Sequence, residues 1–362
     1  MKDEIYIKEC IELAQKGIGK VSPNPLVGCV IVKDGKIISK GYHSEFGKDH
    51  AEVNAIKNAK GVDLTGATVY VNLEPCSIYS KTPPCCDLLI EKKVSRVVCG
   101  TKDYNPLING NGIKKLRKAG IDVKVGVLKD ECLRLNEKFF KYVKTKMPYV
   151  TLKIAQTLDG KISSGYYDKN KISSLEAQKY VHRLRLENDA ILVGSGTIKK
   201  DNPYLTLRHV KGRQPYRVIL NSNLDISLKS NVLNDDFVDK TILIVSNNSY
   251  KNKIKIIDKL INKGVRVYPL KLMRNDLFDL YEVLELLGEI EISSVLVEGG
   301  SKIFTQFVLQ KCFDEINMFI SPKIYGKGIF SIDPEINKFI NLQFKKYNYK
   351  LIGDEILFNG KI

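Results

Sequence analysis

His50 is followed two positions later by Glu52, Pro75-Cys76 lies downstream, and Cys85 comes after eight further residues. One imidazole and two thiolates give a zinc ion three protein ligands. Three ligands plus water is the catalytic pattern, whereas a structural site is closed by four. Zinc in such a site brings the pKa of water toward neutrality and makes a hydrolytic nucleophile available. Glu52 is spare to the ligand set, so its carboxylate can take a proton from that water and pass it to a ring nitrogen and then to a departing amine. Histidine, glutamate and two cysteines in this order are a known signature of zinc deaminases acting on nitrogen heterocycles, in which the cysteines usually stand two residues apart. His-Ala-Glu alone recurs by chance, but flanked by Asn24-Pro25-Leu26-Val27-Gly28 and Leu73-Glu74-Pro75-Cys76 it is specific. The bland alternative is a helix-start histidine with two buried cysteines. Cys86 competes with Cys85 for the ligand role, and a helix beginning at Cys85 would turn its side chain elsewhere. His43 is read as lining the pocket or packing rather than as a fourth ligand.

These groups need a scaffold. Apolar spacing predicts a helix over 5–14, strands over 27–32 and 69–72, a helix over 50–59, a strand over 94–99 and a helix over 113–119, which is an α/β sheet domain. The basic stretch 141–147 reads as a connector, because Pro148 discourages helix before it and a strand begins at Tyr149. The expected domains are therefore 1–146 and 147–362. In the second, β-rich runs at 151–155, 190–193, 217–220, 242–245, 265–268 and 295–297 alternate with helical or turn segments, implying right-handed crossovers and a mostly parallel sheet. Ligands of such sheets sit at the carboxyl ends of the strands. Two glycine turns fall there, Gly194-Ser195-Gly196-Thr197 and Gly299-Gly300-Ser301.

Bulk properties narrow the class. A chain of 362 residues suits two ordinary cores, and 43% hydrophobic with 27% charged residues is globular composition. No apolar run reaches the roughly 18 residues of a membrane span, and the start lacks a secretion signal, so a cytoplasmic location is expected. The eight cysteines are scattered and read as metal ligands or core rather than a disulfide framework. The net charge of +17 comes from lysines spread along the chain, with no arginine-rich or aromatic-interleaved stripe, which argues against a nucleic-acid partner.

With Thr82-Pro83-Pro84-Cys85 added to Asn24-Pro25 and His50-Ala51-Glu52, the chain resembles the bifunctional deaminase/reductase family of riboflavin biosynthesis, where eight residues between the cysteines are the rule. The likeness continues through 153–161 (KIAQTLDGK), 190–197 (AILVGSGT), 201–208 (DNPYLTLR), 296–300 (LVEGG) and Ser321-Pro322-Lys323. It implies a cytidine-deaminase-like three-layer α/β domain followed by a dihydrofolate-reductase-like, mostly parallel α/β domain. The first would deaminate a phosphorylated pyrimidine, a diaminopyrimidinone bearing a ribosylamino 5-phosphate. The second would reduce the ribosyl group to ribityl with NADPH. It further implies that His50, Cys76 and Cys85 hold Zn2+ and that Glu52 and Lys153 are catalytic. Ala155, Lys171, Thr197, Asp201, Ser222 and the turn Gly300, Ser301, Lys302, Ile303, Phe304, Thr305, Gln306 would meet NADPH. Lys169, Arg185, Leu205, Arg208 and Glu298 would contact substrate, with Arg185 and Arg208 as phosphate holders. A homo-oligomer is expected. Where the family often carries a tryptophan, this chain reads Lys169-Asn170-Lys171-Ile172-Ser173, and in the zinc loop Ile78, Ser80 and Lys81 replace other residues. The alternative is a nucleic-acid or free-base zinc deaminase with a non-catalytic or degraded second domain.

Overall fold

The computed structural model describes residues 2–79, 83–105, 108–165, 172–334 and 340–362. The chain divides into two compact units, Met1–Lys146 and Met147–Ile362. In the first, β1 (Gly28–Lys33), β2 (Lys36–Tyr42), β3 (Thr68–Leu73), β4 (Arg96–Thr101) and β5 (Asp122–Val125) form one sheet in the order β2-β1-β3-β4-β5. β1 runs antiparallel to β2 and β3, while β3, β4 and β5 are parallel. Side chains alternate across the sheet, as the two-residue period of a strand requires. Cys29, Ile31, Val69, Val71, Val97 and Cys99 meet helices Ala51–Asn58, Cys85–Glu91 and Asn111–Lys118. Val30, Val32, Tyr70 and Val98 meet helices Lys2–Gln15 and Lys129–Leu135. The result is three layers.

Two departures from the sequence reading have local causes. β2 is an unanticipated strand, closed onto β1 by Asp34-Gly35, both with positive φ (50° and 75°). That turn chemistry matches the right-handed twist of a hairpin and was the available signal. The stretch 141–147 is not a connector, because helix Glu137–Thr145 runs through most of it and ends on Lys146 in a left-handed cap (φ 59°). Pro148 restricts only the residue immediately before it.

The second unit holds β6 (Tyr149–Thr157), β7 (Lys161–Ser163), β8 (Ala190–Gly194), β9 (Tyr216–Leu220), β10 (Thr241–Ser246), β11 (Arg266–Leu270), β12 (Ser294–Val297), β13 (Glu315–Ser321), β14 (Ile329–Phe330), β15 (Lys346–Ile352) and β16 (Glu355–Lys361). The main sheet is ordered β11-β10-β9-β8-β12-β6-β13-β16-β15, and a small ribbon pairs β14 with β7. Its first seven strands are parallel and the last two antiparallel. Val150, Leu152, Ile154, Leu192, Val218, Ile244 and Val297 pack under helices Leu280–Glu289 and Ser301–Gln310 on one face. Ile191, Val193, Ile219, Leu243 and Val245 pack under helix Ile254–Asn262 on the other. The antiparallel edge escaped the sequence reading because β15 is exposed along almost its whole length and shows no continuous apolar run. Among the described residues no helix is long and apolar enough to cross a membrane.

Gly41 shows how tightly the first unit is fitted. A Cβ there would strike the backbone of Ala51, Asn54 and Ala55, in the helix that His50 opens, so β2 and that helix touch backbone to backbone. Gly41→Ala should therefore cost about 1–3 kcal/mol, typical of overpacking. Gly196→Ala, where an added Cβ meets nothing within 4 Å, should change little. Urea unfolding of the two variants checks the contrast.

Candidate active sites

His50 is the N-cap of helix Ala51–Asn58, Cys76 lies just past the end of β3, and Cys85 opens helix Cys85–Glu91. These starts and ends bring His50 Nδ1 to 3.3 Å from Cys85 Sγ and 3.6 Å from Cys76 Sγ, and the three ligand atoms lie within 4.8 Å of one another. Zinc–sulfur bonds of about 2.3 Å and zinc–nitrogen bonds of about 2.0–2.1 Å set tetrahedrally place nitrogen and sulfur about 3.5 Å apart. The donor set therefore fits zinc. The Cys85 N–H donates to Cys76 Sγ at 3.2 Å. Hydrogen bonds from Cys85 and His50 hold the Cys76 thiol down to about 4, and the bond to Cys76 lifts His50 to about 9. Glu52 sits in the first turn behind this cluster, 4% exposed, and burial pushes its carboxyl pKa up.

The two competitors are otherwise engaged. Cys86 turns its thiol to the Pro75 carbonyl at 3.3 Å. His43 Nδ1 donates to the Asp49 carbonyl at 2.9 Å, and Asn24 Nδ2 donates to His43 Nε2 at 3.1 Å. A carbonyl can only accept, which assigns the proton to Nδ1. The His43 ring stands edge-on to His50, 5.7 Å between centroids.

Sequence reading missed the work of Glu74. Its buried carboxylate accepts four backbone N–H groups: Oε1 from Gly112 (3.0 Å) and Ile113 (3.3 Å), Oε2 from Asp103 (3.2 Å) and Gly110 (2.9 Å). The charge of one residue thus anchors Asp103 and the 110–113 helix start, which favours an anion, beside Pro75-Cys76. An acid placed between apolar β3 and a ligand cysteine was the available clue.

The second unit holds a cleft of about 1380 Å³ along the carboxyl ends of its strands. Single-ligand pockets span about 300–1,000 Å³, so this one has room for two ligands side by side. Lys153, Ala155, Thr197, Asp201, Ser222, Glu298, Gly300, Ser301, Lys302, Ile303, Phe304 and Gln306 line it. Gly194-Ser195-Gly196 is the start of helix Ser195–Asp201 rather than a free turn. Helix Ser301–Gln310 begins on Gly300 with no side-chain cap, and a Cβ on Gly300 would meet nothing within 4 Å. That open helix start fits a pyrophosphate. Burial pushes the Lys153 ammonium pKa down.

Other expected contacts need amending. Arg185 is no free phosphate holder: Nε and an Nη donate to Glu298 at 2.6 and 2.9 Å, and the other Nη to the Thr206 carbonyl at 2.9 Å. Burial pushes Glu298 up, but the Arg185 charge outweighs it and holds the carboxyl below its usual range. Leu205, at φ 54°, is buried in the core beside Ile219 and Leu224, which leaves its backbone for any ligand. Thr305 is buried, and its hydroxyl accepts the Asp333 N–H at 2.9 Å. Arg208 is exposed, its backbone N–H donating to His182 Nδ1 at 3.2 Å. Lys169 and Lys171 lie outside the described residues.

Comparison with known proteins covers nearly all of the chain. The family model for the RibD C-terminal domain matches residues 148–358, and that for the cytidine and deoxycytidylate deaminase zinc-binding region matches residues 1–101. The riboflavin biosynthesis protein RibD of Aquifex aeolicus is 42% identical over 98% of this chain and 97% of its own length. That of Escherichia coli is 34% identical over 98% of each. A crystal structure from Thermotoga maritima, a diaminohydroxyphosphoribosylaminopyrimidine deaminase/5-amino-6-(5-phosphoribosylamino)uracil reductase, superposes with a TM-score of 0.87 at 40% identity, covering 99% of this chain and 98% of that one.

His182, a residue sequence reading passed over, holds the Arg208 backbone only while Nδ1 is unprotonated. Burial first, then Arg185, His209 and Arg208, pull its pKa from 6.5 to about 4. Between those values the unfolded chain binds a proton that the folded chain refuses, so stability is lost as pH falls from 6.5 toward 4. His182→Asn, which keeps an acceptor but cannot titrate, should flatten the fall in Tm across that window.

Proposed function

The chain belongs to the RibD family of riboflavin biosynthesis proteins, and from that premise we propose how its residues divide the work of a bifunctional enzyme, a zinc-dependent deaminase and an NADPH-dependent reductase. The proposed substrate is 2,5-diamino-6-(5-phosphoribosylamino)pyrimidin-4-one, deaminated by the unit 1–146 and then reduced by the unit 147–362. The observation that carries the reading is Glu52, buried directly behind a ligand set of three, on the same chain as a cleft large enough for a dinucleotide and a sugar.

In the deaminase, His50, Cys76 and Cys85 hold Zn2+. Zinc, when bound, acts as a Lewis acid that brings water near its ionisation at neutral pH. Glu52 takes the proton of the attacking water at its carboxylate, delivers it to the ring nitrogen, and returns a proton to the amine that leaves as ammonia. Its burial keeps bulk water from competing for that proton. The Asn24–His43 pair borders the site, with the His43 ring edge-on to His50.

In the reductase, NADPH supplies the hydride. The open N–H groups of helix Ser301–Gln310 take the pyrophosphate, with Lys302 beside them and Ala155, Thr197, Asp201 and Ser222 completing the cofactor wall. Glu298, held rigid by Arg185, and Lys153 grip the sugar hydroxyls. The Lys153 ammonium, weakened by burial, gives the proton that must accompany hydride when the ribosyl carbon is reduced. Arg208 offers its exposed guanidinium to the 5-phosphate.

The working protein is a cytoplasmic homo-oligomer that does not engage nucleic acid. Support for assembly comes from β15 at the sheet edge, which exposes Tyr347 (60%), Tyr349 (64%) and Leu351 (74%). An unpaired edge with exposed apolar side chains marks an association surface.

The test follows ammonia release and NADPH absorbance together, with zinc-replete protein and the diaminopyrimidinone substrate. Ammonia first and NADPH loss second is the expected order. Silence in both signals would remove the assignment. Glu52→Gln should retain zinc and lose ammonia release by about 10²–10⁴-fold, while still oxidising NADPH on substrate that is already deaminated. Glu298→Ala should do the reverse. Should either variant abolish both activities while staying folded, the division into two independent sites is wrong.

A further inference from the structure

Phe330 stands on β14, opposite Lys161 of β7 in the ribbon beside the cleft. The Lys161 ammonium lies over the ring, 2.8 Å from its centroid. One face is therefore taken, yet Phe330 lines the cleft and remains 37% exposed. Phe330 is thus the partly exposed phenylalanine among those lining the cleft. Phe278 and Phe304 also line the cleft, but at 5% and 3% exposure their rings are committed to the core.

The ribbon that carries the ring is tied down on both sides. Asp159 accepts the backbone N–H groups of Tyr325 (3.2 Å) and Gly326 (2.8 Å), and the Ser331 N–H donates to the Gly160 carbonyl at 2.9 Å. Beyond β14, the Asp333 N–H donates to Thr305 on helix Ser301–Gln310. The backbone on either side of the ring is thus tied to Asp159, to Gly160 and to the helix proposed to take the pyrophosphate. In a chain without tryptophan, Phe330 is a preorganised and partly open aromatic face in this cleft.

We propose that Phe330 is a binding residue of the reductase cleft: it stacks on a planar six-membered nitrogen heterocycle, the pyrimidine of the substrate or the nicotinamide of the cofactor, with Lys161 polarising the ring from behind. The inference rests on the reading of this cleft as the reductase site. A cation on one face draws π density toward itself. The opposite face then suits an electron-rich partner, and an aminopyrimidinedione and a dihydronicotinamide are both electron-rich. Offset stacking of this kind adds to simple burial of apolar area.

The experiment uses the full-length protein with Phe330→Ala, Phe330→Leu and Phe330→Tyr. NADPH binding is read by fluorescence, and KM and kcat by NADPH oxidation on already deaminated substrate. Loss of the ring should weaken binding about tenfold, within the range found for aromatic–base stacking. A raised KM for the pyrimidine assigns the stack to substrate, and a raised Kd for NADPH assigns it to cofactor. The Phe330→Leu side chain fills space without a π face and should behave like the alanine variant, whereas the tyrosine variant should return to within about twofold of the parent. Ammonia release should be unchanged throughout, because it belongs to the other unit, and an unaltered urea unfolding transition reports that the unit carrying Phe330 is intact. The proposal is overturned if the alanine variant matches the parent in both constants, or if leucine restores binding as well as tyrosine. A parent protein that releases ammonia but oxidises no NADPH would instead overturn the reading of the cleft, and the stacking role with it.

Discussion

Both sites depend on one constraint of α/β architecture: where a strand ends and a helix begins, backbone N–H groups lose their partners and side chains of neighbouring connections converge. His50 and Cys85 open helices, and Cys76 follows β3. In the second unit Glu298 and Gly300 follow β12, and Ser222 follows β9. Right-handed crossovers put these junctions on a single edge of each sheet. Residues distant in sequence therefore arrive within a few ångströms of one another without any of them being placed by a dedicated element.

Converging charges must then be compensated, because an isolated buried ion is costly. Glu74 spends its charge on four N–H groups of the loop and helix start beside the zinc ligands. Glu298 is met by the Arg185 fork. Arg217, fully buried, donates to Asp235, Thr241 and the Tyr204, Val232 and Phe237 carbonyls. Removing one partner of such a set leaves the other unpaired in a low dielectric, so these residues fix the geometry of groups they do not themselves resemble in function. Glu52 differs from them: it is buried with its carboxyl pKa raised, the condition suited to passing protons on.

The amino-acid sequence by itself determined the chemistry that was local in the chain. His50, Glu52, Cys76 and Cys85 announced a three-ligand zinc site by type and spacing, and the apolar runs from Thr151 to Val297 announced a mostly parallel sheet, because strands buried on both faces must be continuously apolar. Tertiary structure alone decided how side chains were shared out. Arg185 and Arg208 are both arginines near matching motifs, yet one clamps Glu298 and the other reaches solvent. Leu205 and Thr305 belong to the right segments but face the core and Asp333. Lys161 and Phe330 stand far apart in the sequence and meet only through pairing of β7 with β14. Spacing along one element is fixed by its helical or strand period and can be read directly. Which of several possible partners a side chain takes depends on where other elements stop, and that is settled only when the whole chain has packed.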